Sequence, residues 1–465
     1  MTATLKRTKR EMDLTSGPIL KKMFLYAIPF IFTNILQILF NAADVAVIGI
    51  FRGDNAVAAV GANTALTNLL ISFFIAFSIG SNVVLAKYVG AKDLTNARRT
   101  IGTSLVLAIT AGLILVSIGV PLAPTFLKIM GCAPEILDMA TIYLRIYFLG
   151  MPITMLYNFC ASILRAVGDT KRPLVFLMIG GATNVLLNLF FVCVFNMNVE
   201  GVAIATITSQ AISATLSLIV LAKGNGYGSI KKEYLRIHKK QLAEICKIAI
   251  PSGLQSIAFS SANVLIQSTV NSFGAVGMSA NTVSAQFDAM IYNLGNAIAL
   301  SSMAFVSQNI GAKRMDRVKR SIYCGLLLVV VMSFGVGLLF AIFAPNLCGI
   351  IATSQDVIDM AVIRLCIMAS TYFTCSIMEV FSFAVRAMGY SLYSLIISVL
   401  GAVVIRMLAL KIAIYLIPEF YIIFVTYPIS WIITDLVYIF AVIKIYKKVK
   451  AKIENESKEM DLESA

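Results

Sequence analysis

Apolar residues run in stretches of about 23 to 31 positions separated by short polar breaks, at roughly 21 to 51, 56 to 86, 100 to 122, 137 to 163, 173 to 195, 199 to 222, 245 to 273, 279 to 306, 320 to 344, 357 to 385, 391 to 416 and 420 to 444. Each reaches the roughly 20 residues that a helix needs to cross a bilayer, so the pattern predicts twelve membrane-spanning helices. The first stretch also carries a polar stripe. Asn34, Gln37, Asn41 and Asp44 follow one another at steps of three, four and three residues, which places them on one face of an α-helix. A carboxylate within a membrane helix is expensive and faces a bundle interior or a water-filled cavity, which makes Asp44 the leading candidate for function. The competing reading is an acid near a helix end that snorkels or caps, and the length of the stripe behind Asp44 argues against it.

The polar breaks divide the chain into a mobile cytoplasmic tail at 1–16, a first lobe at 17–222, a linker at 223–244, a second lobe at 245–446 and a second cytoplasmic tail at 447–465. Lys6, Arg7, Lys9 and Arg10 mark the first tail. Further basic clusters follow the second span (Lys92, Arg98, Arg99), the fourth (Lys171, Arg172), the sixth (Lys231 to Lys240) and the eighth (Lys313 to Arg320). All fall on one side, and the positive-inside rule then places both termini in the cytoplasm. The two halves also repeat. Ala27-Ile28-Pro29 returns as Ala249-Ile250-Pro251, Gly90-Ala91-Lys92 as Gly311-Ala312-Lys313, and Arg165-Ala166-Val167-Gly168 as Arg386-Ala387-Met388-Gly389. The expected fold is therefore an all-α polytopic membrane protein with twelve transmembrane helices in two pseudo-symmetric six-helix lobes, related by an axis along the membrane normal.

Composition narrows the class. With 59% hydrophobic and 13% charged residues and a mean hydropathy of +0.88, this is no soluble globular chain. The net charge of +15 sits in loops between apolar spans, so it reports orientation, and nucleic-acid binding is rejected. Eight scattered cysteines and one histidine, His238 in the linker, encode neither a metal site nor a thiol or Ser-His centre. No cofactor is expected, and an intramembrane enzyme, which needs clustered nucleophile and base, is disfavoured. The N-terminus is polar through Lys22 and its first apolar run is too long for a signal-peptide core, so no cleavable signal is expected.

Taken together and in order, the Gly-Ala-Lys loops, the Arg165-to-Asp169 turn and the Glu200-Gly201-Val202-Ala203 start of the sixth span resemble the multidrug and toxic compound extrusion (MATE) family of cation-coupled antiporters over about residues 13 to 445. The resemblance implies a bacterial inner-membrane exporter, monomeric, that moves small organic cations or drugs across the lipid bilayer against H⁺ or Na⁺, with H⁺ ahead. It also implies that the first lobe's ion-coupling site comprises Asp44, Asn184 and Asn188 of the fifth span, and Thr206 of the sixth. Here the chain departs from the family pattern, because many relatives carry Asp where this chain has Asn188. Asp44 becomes the only acid of that site. Asn184 and Asn188 stand one turn apart, so either they converge on Asp44 or they bond neighbouring helices. A lipid-precursor or polysaccharide flippase of related architecture is the alternative reading, but it calls for a cationic cavity.

Further cavity candidates are Asn34, Gln37 and Asn41 in the first lobe and Gln255, Asn263, Gln286, Asp288 and Glu379 in the second. Gln255 and Asn263 occupy the region where some relatives couple Na⁺ through a Glu. Glu379 has a bland alternative, pairing with Arg145 or Arg406. Pro29 and Pro251 bend their helices by removing a backbone hydrogen bond.

Overall fold

A computed structural model describes residues 11–464. The basic residues Lys6, Arg7, Lys9 and Arg10 of the expected tail lie outside them, as does Ala465. Among the described residues there is no strand. Helices run in the order α1 (Ile19–Arg52), α2 (Asp54–Gly90), α3 (Leu94–Ile129), α4 (Pro134–Leu149), α5 (Met151–Ala166), α6 (Lys171–Leu189), α7 (Val199–Lys223), α8 (Lys239–Asn271), α9 (Gly274–Gly311), α10 (Met315–Val329), α11 (Gly335–Ile342), α12 (Ala344–Ile351), α13 (Gln355–Ala387), α14 (Ser391–Ser398), α15 (Arg406–Leu416) and α16 (Phe420–Ser464). Wider π turns at Phe190–Val194, Val330–Phe334 and Val399–Ile405 extend α6, join α10 to α11 and join α14 to α15.

Eleven of the resulting segments are long and apolar enough to cross a membrane, and the bent pair α4 and α5 makes a twelfth when taken as one span. That pair is the predicted fourth span, broken by 48° at Gly150. Two features accompany the break. Pro152 lies in the first turn of α5, and a Cβ on Gly150 would meet Ile207 Cγ1 at 2.3 Å. The short α12 lies in what the hydrophobic pattern leaves as a loop.

The described residues divide into two compact units, one of residues 11–13 and 28–253, the other of residues 14–27 and 254–464. The division falls inside α1 and α8, within two residues of Pro29 and Pro251. It therefore differs from boundaries drawn at the ends of spans. Polar breaks mark where the chain leaves the apolar phase, whereas packing decides which body each half-helix joins.

In the first unit, close helix packing is made by small residues, the usual route to association in lipid. A Cβ at Gly112 of α3 would meet Pro152 Cα at 2.3 Å, and one at Gly119 would meet the Phe148 ring. Phe148, Phe159, Leu144 and Leu127 fill the core around them. In the second unit, α9 and α13 form the most extensive helix pair. Gly295 lies against Ser376 and Gly337 against the Ala369 carbonyl.

The internal repeat extends to the backbone. Left-handed residues occur at Gly53 and Gly274, Lys92 and Lys313, and Gly168 and Gly389, each pair 221 residues apart. Such φ values are rare for lysine, so their recurrence reflects a shared turn rather than composition.

The described parts of the expected tails, and the linker, are more ordered than their polarity implies. Residues 11–16 are not a mobile tail. In the first unit the Met12 N–H donates to Gly168 O (3.2 Å). In the second unit Leu14 is fully buried, its carbonyl accepts from Asn309 Nδ2 (3.2 Å), and Arg314 Nη1 donates to Thr15 O (2.8 Å). Polar chain is held here because its backbone groups find partners in the turns. The linker packs on the first unit through Gln241 Nε2 to Asn96 Oδ1 (2.9 Å) and the His238 N–H to Thr103 Oγ1 (3.1 Å). Past residue 447, α16 continues as helix, with i,i+4 pairs Lys450–Glu454 and Lys452–Glu456.

Gly102 of α3 tests the linker docking, because its Cβ would lie 1.8 Å from the Tyr234 carbonyl oxygen. Gly102→Ala is expected to lift the linker and lower stability by about 1–3 kcal/mol. Thermal unfolding in detergent, together with faster protease cleavage between 224 and 238, checks this; an unchanged cleavage rate would show that the linker is not held at this point.

Candidate functional site

Asp44 lies near the end of α1 and is 9% exposed. Asn184 and Asn188 of α6 and Thr206 of α7 close around it. The Asn188 Nδ2 amide donates to Asp44 Oδ1 and also reaches Asn184 Oδ1 at 3.4 Å. Thr206 Oγ1 lies 3.3 Å from Asp44 Oδ2, 2.9 Å from Val202 O and 3.3 Å from Asn184 Nδ2, which donates to it. Thr206 has one hydroxyl hydrogen and two acceptors in reach, the carboxylate and the Val202 carbonyl. Asn188 is fully buried, and its Oδ1 finds no partner among the described residues. The four residues thus form one connected polar cage with a single ionisable member.

Local sequence explains the geometry. Asn184 and Asn188 are four residues apart and share a face of α6. Gly180 and Gly181 of the same helix allow close approach: a Cβ at Gly181 would collide with the Phe40 ring of α1, and one at Gly180 with Ser213 of α7. Immediately after Asn188 and Leu189 the helix widens into its π turn, a distortion frequent at functional sites. Arg52, at the end of α1, then pins the following turn by donating to Val192 O (2.6 Å), Met197 O (2.8 Å) and Asn196 Oδ1 (2.7 Å). Tyr143 and Tyr147 of α4 stack at 6.0 Å and lie within electrostatic reach of Asp44. Neither tyrosine is evident from the sequence, since an aromatic pair one turn apart in an apolar span looks like ordinary packing.

The rest of the α1 stripe does not join the cage. Asn34 is partly buried, and Gln37 and Asn41 are exposed. Gln37 lies two turns before Asp44, at the level where Phe40 rather than a polar side chain meets α6.

In the second unit the candidates are dispersed. Asn263 and Gln286 are exposed. Gln255 is buried and accepts from Arg386 Nη2 (2.8 Å). Asp288 is not an open cavity acid: it forms a buried ion pair with Arg364 Nη1 (2.8 Å), which also donates to Ser284 Oγ (2.8 Å). Glu379 pairs with neither arginine expected of it. Arg145 donates to Val120 O (3.3 Å) and Arg406 to Ser430 Oγ (3.0 Å), while Glu379 lies buried within electrostatic reach of Arg386 and Tyr292. Arg364 and the buried Asp435 of α16 were not singled out from the sequence. The signal was available, since each is a charge inside an apolar span.

The MatE family profile matches this chain twice, over residues 29–190 and 251–411, which is the internal repeat seen in turns and sequence. A probable multidrug resistance protein of Bacillus subtilis, YoeA, is 26% identical over 82% of this chain and 83% of its own length. The Staphylococcus aureus multidrug export protein MepA is 22% identical over 86% and 88%. Among solved structures, a MATE protein in its bent conformation superposes with a TM-score of 0.90, at 19% identity, over 97% of this chain and all of that one. The duplicated set of membrane helices, the first of which holds the buried polar cage, is that of a polytopic transporter, and the family and relatives matched are transporters rather than enzymes. The chain belongs to the MatE family, as its landmark turns imply.

Proposed function

We propose that this protein exports organic cations and lipophilic drugs from the bacterial cytoplasm in exchange for protons, by alternating access, with Asp44 as the proton carrier. The names of its relatives, multidrug resistance and multidrug export proteins, support the substrate class. The observation that carries the coupling is the cage itself, in which one carboxylate is surrounded by uncharged amide and hydroxyl groups. The basic clusters on one side support a cytoplasmic location for both termini.

Asp44 can neutralise a cation or bind a proton, and holding both at once is unfavourable. That exclusivity couples the two fluxes. The cage can serve both states. With Asp44 ionised, the Asn188 amide and the Thr206 hydroxyl both donate to it. With Asp44 protonated, the new O–H donates to Thr206 Oγ1, whose own hydrogen turns to Val202 O, already within 2.9 Å. Rotation of the Asn188 amide by half a turn would likewise present its unpartnered Oδ1 as an acceptor. The proton is put ahead of Na⁺ because, in the arrangement observed, the Asn188 amide and the Thr206 hydroxyl aim donors at the carboxylate, whereas a Na⁺ shell would need both turned to present their oxygens.

One titratable group fixes a further expectation. Exchange of one proton for one monovalent cation is electroneutral, so the pH gradient alone drives it, sustaining about a tenfold concentration ratio per pH unit. Ethidium movement in reconstituted vesicles, under a proton gradient alone and a Na⁺ gradient alone, tests the proposal. Transport is expected with protons, independent of an imposed voltage. Transport driven only by Na⁺ would overturn the proton assignment, and none under either gradient would overturn the export reading in favour of lipid-precursor translocation.

A further inference from the structure

The second unit buries three guanidinium groups, on Arg364, Arg386 and Arg406, which are 5–6% exposed. Two have acids nearby. Arg364 is ion-paired with Asp288, and Arg386, bonded to Gln255, lies within electrostatic reach of Glu379. Arg406 is different. Its Nε donates to Ser430 Oγ (3.0 Å), and among the described residues no carboxylate lies within ion-pair distance of it. Its other neighbours are aromatic faces, Tyr427 with its centroid at 4.2 Å and Trp431 at 5.4 Å. A buried cation without a counter-ion is costly, and cation–π contact recovers only part of that cost.

The backbone around Arg406 is distorted. It lies well inside the span Ser391–Leu416, where an ionisable residue marks a functional site by default. The π turn Val399–Ile405 ends at the residue before it. Within that turn Gly401 sits so close to α16 that a Cβ would lie 2.1 Å from Thr434 Oγ1. This approach sets the guanidinium over the aromatic residues of α16. Tyr372 of α13 completes the wall, 5.3 Å from the Trp431 ring, and both Tyr372 and Tyr427 remain partly exposed.

We propose that Arg406 is the anion-recognition residue of a second subsite, where it holds the carboxylate of an aromatic substrate whose ring stacks against the Tyr372, Tyr427 and Trp431 wall. The missing counter-ion is then the substrate's own. A single guanidinium with a planar fork of donors matches a carboxylate. A phosphate dianion calls for a second free cation, and Arg364, the neighbouring guanidinium around Tyr427, is already neutralised by Asp288. The proposal rests on the reading of the chain as an exporter of organic compounds, and names the residue that would read a carboxylate on them.

Trp431 is the only tryptophan of the chain, so its fluorescence reports directly on this place. The full-length protein in detergent would be titrated with benzoate and with the neutral, near-isosteric benzamide. Benzoate is expected to change the emission saturably and with at least about tenfold higher affinity than benzamide, the cost of losing a charge-assisted bidentate contact. Arg406→Gln should abolish that preference and Arg406→Lys retain part of it. Equal responses to benzoate and benzamide in the wild type would overturn the subsite without reliance on any variant's folding. So would an unchanged preference in a folded Arg406→Gln protein, leaving Arg406 as a packing pin between α15 and α16. The outcome is separable from the export reading: benzoate preference without ethidium transport would count against export alone, and transport without benzoate preference against the subsite alone.

Discussion

Asp44→Asn is expected to reduce the ethidium ratio that vesicles sustain at one pH unit from about tenfold to unity, because the substitution removes the only titratable group of the cage. The isosteric amide keeps the volume and most hydrogen bonds, so the loss is of coupling rather than of folding. A folded Asp44→Asn protein that still concentrates dye would overturn the assignment of Asp44. The companion substitution is Asn188→Asp, which puts a second carboxylate against the first. Two carboxylates in contact cannot readily both ionise, and a carrier with two titratable groups can move a second proton per cycle. The sustained ratio should then rise toward about a hundredfold per pH unit and become sensitive to voltage, since one net inward charge gains about 2.3 kcal/mol per 100 mV. A ratio and voltage response identical to wild type would show that position 188 does not set the stoichiometry.

Asp288→Ala is expected to produce the largest loss of stability, about 3–5 kcal/mol, because it strands the buried Arg364 guanidinium without its ion-pair partner. The cost lies in the orphaned charge more than in the lost contact. Arg364 would keep Ser284 and the Phe424 ring, at 2.8 and 4.7 Å, neither of which neutralises it. Removing both charges in Asp288→Ala with Arg364→Met should therefore recover most of the loss. Thermal unfolding of the two variants in detergent measures this. If the double variant is as unstable as the single, the pair contributes through shape rather than charge.

Much of the architecture is legible in the sequence. Apolar runs longer than a bilayer is thick have one low-energy conformation in lipid, a helix that satisfies its own backbone, and twelve such runs imply a helical bundle. The repeat was legible because Gly168 and Gly389, or Lys92 and Lys313, occupy turns of one geometry. The fourth span was harder to read. Gly150 and Pro152 stand in the sequence at the break, but the close approach of Ile207 to Gly150, from far along the chain, does not. Residues 11–16 of the expected tail are held for a related reason, since polarity reports solubility but not the donors that Asn309 and Arg314 bring to the carbonyls of Leu14 and Thr15.

The site divides in the same way. Sequence alone determined that Asp44 is an acid inside a membrane helix, and family resemblance placed Asn184, Asn188 and Thr206 beside it. The free energy of burying charge in lipid makes such a residue conspicuous wherever it occurs. Only the tertiary structure decided which conspicuous charges are already neutralised and which are open. Asp288 and Arg364 stand 76 positions apart and cancel each other, while Asp44 meets only neutral groups and Arg406 meets rings instead of acids. Whether a buried charge is neutralised depends on atoms a few ångströms away on other helices, and the order of residues along one helix carries no record of them.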